Sequence, residues 1–80
     1  MVELIPISVK TYSGYKADEY PQRFIWAGID FEVIEIIDRW YEGYGQPNKE
    51  SVNYFKVKTD PAATCLLRHN IQSDDWFLVV

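Results

Sequence analysis

Residues 30–42, with the sequence Asp-Phe-Glu-Val-Ile-Glu-Ile-Ile-Asp-Arg-Trp-Tyr-Glu, decide the fold of this chain because they suit two secondary structures. Interpreted as a helix, the stretch begins at Asp30, a good N-cap residue, and ends before Gly43, a common helix terminator. Its apolar residues then share one helical face at spacings of three and four: Val33, Ile36, Ile37 and Trp40.

The strand interpretation of the same stretch is favoured by its composition and by the residues that precede it. Isoleucine and valine are enriched in strands, and the stretch continues directly from a hairpin-like turn around Gly28. The alternation of apolar and polar residues slips near Ile34 and Glu35, where a β-bulge would accommodate the extra residue. We therefore predict one long bulged strand over residues 30–42.

The rest of the chain predicts short strands joined by turns. Strand-like runs occupy residues 4–12, 24–26, 29–33, 51–59, 64–69 and 75–80. Turns are expected at residues 60–63 and 70–74, and loops with Gly and Pro at residues 12–21 and 42–50. We predict a mainly β fold, a single small antiparallel meander of five to six strands that curls into a partial or closed small barrel.

The composition supplies the apolar surface that so small a domain needs. The 80 residues are 48% hydrophobic and 16% aromatic, enough for one dense core, and we treat residues 1–80 as a single domain. Two of the three tryptophans are expected in that core. The formal net charge of −4 weighs against binding to phosphate backbones, because such domains usually carry a basic surplus.

The cysteine count and the N-terminal residues bear on the compartment. Cys65 is the one cysteine, so no intrachain disulfide can form, and a reducing compartment such as the cytoplasm is expected. Residues 1–10 lack the basic start and apolar run of a signal peptide. No apolar stretch approaches the ~20 residues of a membrane span, so we expect no membrane partner.

The sequence contains no motif that is specific for catalysis. It has no glycine-rich phosphate loop, and one cysteine with one histidine cannot form a typical zinc site. Cys65 and His69 would lie about 13 Å apart on a strand, at ~3.3 Å per residue. We interpret them as a buried small hydrophobe and a half-exposed strand histidine, and we expect no cofactor and no metal. Asp74 and Asp75 are interpreted as turn residues.

Residues 38–41, Asp-Arg-Trp-Tyr, are the most informative run for binding. Arg39 would pair with Asp18 or Glu19 and hold the first loop to the sheet, because a guanidinium binds carboxylates bidentately. The alternative is a small anion site of cations and tyrosines. The candidate binding residues from both interpretations are Tyr15, Lys16, Asp18, Glu19, Arg39, Tyr41 and Arg68.

Much of the chain resembles an uncharacterised family of small bacterial proteins. The matching residues are Ser13 to Glu19, Pro21, Phe24, Gly28, Val33, Asp38 to Tyr41, Tyr54 to Asp60, Leu67, Arg68 and Trp76 to Leu78. This family has no assigned activity, so the resemblance implies no function.

The chain also shows a weaker similarity to a β-rich tail segment of bacterial proteins related to lesion-bypass DNA polymerases. The matching residues are Trp26-Ala27-Gly28 and Arg39-Trp40. That similarity implies a β structure for residues 30–41 and a link to DNA transactions.

Three hypotheses for the function follow. The favoured one is a small non-catalytic accessory module, a monomer or weak dimer, that binds an unknown protein partner through aromatic anchors at Tyr15, Tyr20, Tyr41 and Tyr44. The alternative is a nucleic-acid-binding module whose phosphate contacts come from Lys16, Arg39, Lys56, Lys58 and Arg68. An enzyme ranks third, and it requires Lys16, Arg39 and either Asp18 or Glu19 to converge in a pocket.

Overall fold

The computed structural model describes residues 3–13, 19–43 and 51–80, and these residues form six strands. The strands are β1 (Leu4–Ser13), β2 (Glu19–Trp26), β3 (Ile29–Glu42), β4 (Val52–Asp60), β5 (Ala63–Asn70) and β6 (Asp75–Val79). Each strand pairs antiparallel with the next, and β6 returns to pair with β1, which closes the barrel. The predicted antiparallel meander is confirmed, in its six-stranded closed form. Within the described residues, no helix is long and apolar enough to cross a membrane.

Strand β3 confirms the strand interpretation of residues 30–42 and its predicted bulge. The register with β4 skips Ile34, between the pairs Val33↔Thr59 and Glu35↔Lys58. A second irregularity, which the sequence did not predict, skips Ile37. The two extra residues allow residues 32–42 of β3 to pair along the 9 residues of β4.

The two bulges explain why this strand has helix-like spacing. Antiparallel partners share a face of the sheet, so Val33, Ile36 and Arg39 point inward with their buried partners Thr59, Val57 and Phe55. Inward residues therefore recur every third position across each bulge instead of every second. That spacing of three is also the spacing of a helix face.

The core is an aromatic and aliphatic cluster from five of the strands. Its buried members are Phe24, Phe31, Phe55, Val57, Leu67, Trp76 and Leu78. The Phe24 and Phe31 rings stack with centroids 5.2 Å apart, and the Phe55 and Trp76 rings lie 5.6 Å apart. The inward residues of β1, Ile5, Ile7 and Val9, pack against this cluster.

Two expectations from the sequence need correction. Only Trp76 of the three tryptophans belongs to the buried core, because Trp26 closes the end of a hairpin and Trp40 points outward beside Tyr54. The first loop is also shorter than predicted, since β1 continues to Ser13 and β2 begins at Glu19. Pro21 is fully buried within β2. Residues 44–50 of the second predicted loop lie outside the described residues.

The β2–β3 hairpin turns through two residues with positive φ, Ala27 (53°) and Gly28 (77°). This is the conformation of a type I′ turn, which suits the twist of the flanking strands. Glycine adopts positive φ without penalty, whereas alanine in this region costs roughly 1–2 kcal/mol. The turn is therefore strained at Ala27.

Ala27→Asn is expected to raise the free energy of unfolding by about 0.5–1 kcal/mol, because asparagine tolerates positive φ better than alanine. Gly28→Ala is the matched opposite change. It should lower stability by about 1 kcal/mol through backbone strain alone, since a Cβ at Gly28 would meet nothing within 4 Å. Urea unfolding followed by circular dichroism measures both variants. Equal stability of all three proteins would contradict the strain at this turn.

Candidate functional site

The ladder between β2 and β3 is short, and the two strands part where it ends. They pair from Trp26↔Ile29 to Arg23↔Glu32 only. Beyond Glu32, β3 pairs with β4 and with no other strand among the described residues. A groove of about 370 Å³ opens between the separated strands. We call it the seam, and its lining residues are Tyr20, Pro21, Gln22, Val33, Ile34, Glu35 and Ile36.

The separation has local causes in both strands. A bulge bends a strand and increases its twist, so the bulges at Ile34 and Ile37 turn β3 along β4 and away from β2. On the other side, the β1–β2 register skips Gln22, between Lys10↔Arg23 and Thr11↔Pro21. Pro21 has no N–H to donate, which suits a strand that pairs on one side only.

The seam, together with Ile37 just beyond it on β3, exposes apolar side chains that a strand edge seldom carries. Ile34 is 61% exposed, Ile37 41% and Ile36 37%. Exposed edges usually carry lysines, prolines or other charges that discourage pairing with another chain. Three exposed isoleucines within four positions instead form a β-branched, apolar edge that favours such pairing.

The same strand is strongly acidic. Among its 14 residues, β3 has one cation, Arg39, and these carboxylates: Asp30, Glu32, Glu35, Asp38 and Glu42. Asp30 is 3.2 Å from Arg23, and Glu35 is 3.9 Å from Lys58, but the side chains of both pairs are about half exposed. Such pairs are screened by water and salt. The carboxylates of β3 beside the seam are therefore accompanied by Lys56 and Lys58 of the neighbouring β4.

Arg39 closes the barrel interior at the open end of β3. Its guanidinium carbon lies 5.0 Å from the centroid of Phe55, which is fully buried, and 5.2 Å from that of Tyr41. Its Nη2 donates a hydrogen bond of 2.7 Å to the Tyr41 hydroxyl. The structure thus brings together two of the candidate binding residues, Arg39 and Tyr41. Of the other predicted partners, Tyr15, Lys16 and Asp18 and the side chain of Glu19 lie outside the described residues.

Arg68 lies on the opposite face of the sheet from Arg39. Arg39 is in register with Phe55 and Leu67, whereas Arg68 follows Leu67 and so points outward. The structure therefore does not bring Arg39 and Arg68 together, and the predicted anion site lacks one of its cations.

Arg68 belongs instead to an outward row that crosses four strands, which we call the outer row. Its members are in register with one another: Trp40, Tyr54, Arg68 and Phe77. The Trp40 and Tyr54 rings stack with centroids 5.3 Å apart, and Arg68 lies 5.8 Å from the Phe77 centroid. All four side chains are half-buried. Sequence inspection missed this row because its members come from four strands whose register no local pattern reveals.

His69 is buried rather than half-exposed, which corrects the prediction for this residue. Its ring stacks on Trp76 at 4.2 Å, and its Nε2 lies 2.8 Å from Asp74 Oδ1. Asp74 adopts a positive φ of 58°, within a turn in which Asn70 Oδ1 accepts hydrogen bonds from the amides of Gln72 and Ser73. The predicted turn at residues 70–74 therefore has a second role, which is to supply a hydrogen-bond partner to one of the two ring nitrogens of the buried His69.

The remaining reactive side chains do not assemble a catalytic or metal site in the described part of the chain. Burial raises the pKa of the Cys65 thiol, which reduces the thiolate fraction. No group of three His, Cys, Asp or Glu side chains there is arranged to hold a metal ion.

Comparison with known proteins gave no match, either to a family model, to a curated protein or to a solved structure.

Arg39→Ala is expected to lower the free energy of unfolding by about 1–2 kcal/mol, because the guanidinium contact with Phe55 and the packing of the side-chain stem are both lost. Arg39→Lys retains the charge and most of the aliphatic stem but not the planar guanidinium, so it should lower the free energy of unfolding by less than Arg39→Ala does. Denaturant unfolding measures both changes. An alanine variant as stable as the parent would show that Arg39 does not support the barrel end.

Asp74→Gly should lower the free energy of unfolding by about 0.5–1.5 kcal/mol, the net value of one hydrogen bond, because it removes the partner of His69 Nε2. Glycine adopts the positive φ at this position without strain, so the backbone adds no further loss. Asp74→Asn is the matched control, since its side-chain oxygen can still accept from Nε2 and asparagine tolerates this φ. The asparagine variant should be the more stable of the two. The reverse order in thermal unfolding would contradict a structural role for the carboxylate oxygen.

Proposed function

We propose that this chain is a non-catalytic interaction module that binds a protein partner at the seam. The observation that carries the proposal is the edge of β3, which presents Ile34, Ile36 and Ile37 to solvent where the described structure gives it no neighbouring strand. Full burial of one such side chain contributes roughly 1.5–3 kcal/mol. The three isoleucines would thus supply a substantial part of the free energy of association.

The position of the seam also supports a role in binding. Ile36 and Arg39 belong to the inward face of β3, so a partner at the seam would extend the barrel core beyond Phe55. Residues that fill a core gap are shielded from water on binding, which is typical of the energetic centre of an interface. Stable interfaces bury about 1,200–2,000 Å², so the partner must also contact the strands beside the groove.

A second candidate function, binding of single-stranded nucleic acid, is favoured by the outer row. Stacked aromatic rings beside an arginine are the elements that hold bases and phosphates, and Lys56 lies on the same face. Two features weigh against it: Asp38 is the register partner of Lys56, and the whole chain has a net charge of −4. We rank it below the protein interaction.

Two further expectations stay part of the proposal. The lone Cys65 supports a reducing compartment such as the cytoplasm. The resemblance to an uncharacterised bacterial family supports a bacterial accessory protein, and it assigns no partner.

Site-specific photocrosslinking in the source cells tests the proposal. A benzophenone amino acid replaces Gln22, which lines the groove, and crosslinked adducts are resolved by mass on a denaturing gel. We expect a discrete protein adduct that disappears when Ile34→Asp and Ile37→Asp are added, because two carboxylates would replace apolar contacts. Thr64→Asp, an exposed change on β5, is the matched control and should leave the adduct intact.

Adducts of equal yield in the double-aspartate variant and the control would count against the seam as the binding surface, provided that circular dichroism shows both variants folded. For the second candidate, a short oligothymidylate is titrated at ~50 mM salt while the amides of Trp40, Tyr54 and Arg68 are followed by NMR. Shifts confined to these residues would move nucleic-acid binding to first place.

A further inference from the structure

We draw no further inference here: the strongest candidate, the groove of about 550 Å³ that Asp74 and Asp75 line where β1 continues past the start of β6, carries nothing because Asp74 is already the hydrogen-bond partner of His69 and nothing else in the described residues around the groove points to a ligand.

Discussion

Two bulges in β3 constrain most of what this protein presents to its surroundings. By skipping Ile34 and Ile37, the strand coils along β4 and keeps Val33, Ile36 and Arg39 on the inner face. The same coiling carries it away from β2 after Glu32. The opening of the seam is therefore a consequence of these bulges together with the irregularity at Gln22 in β2. A regular strand would continue its ladder with β2 as far as the first residue of β2, Glu19, and would close the groove there.

The barrel tolerates the opening because its core is concentrated on the other strands. Phe55, Val57 and Leu67 are fully buried at the centre of β4 and β5, and Trp76 stacks on both Phe55 and His69. The open end is covered in part by the Arg39 guanidinium, whose stem is apolar and whose head can remain hydrated. An arginine can fill this position because its guanidinium packs over the Phe55 ring while its Nη2 donates a hydrogen bond to the Tyr41 hydroxyl.

The edge of β3 combines features that oppose each other in free energy. Exposed isoleucines favour association, whereas bulges and charged side chains discourage pairing with unselected strands. The outer row is different in kind, since its aromatic rings are already stacked on neighbours and gain less from a new contact.

The sequence by itself determined the β class, the number of strands to within one, the turns at residues 60–63 and 70–74, and the bulge near Ile34. These features depend on local chemistry: β-branched alternation, proline and asparagine in turns, and a visible slip in period. It also left a helix open for residues 30–42, because two bulges three residues apart give inward side chains the spacing of a helix face.

Only the tertiary structure decided which residues share a surface. The pairing of Arg39 with Tyr41 was visible in the sequence because the two residues are separated by one position on a strand. Three other features could not be found in the sequence: the seam, the outer row and the contact of His69 with Asp74. Each depends on the register between strands or on the residue at which the pairing of two strands ends. Burial of a side chain also depends on the register between strands. His69 is buried because Trp76 from the adjacent strand covers its ring.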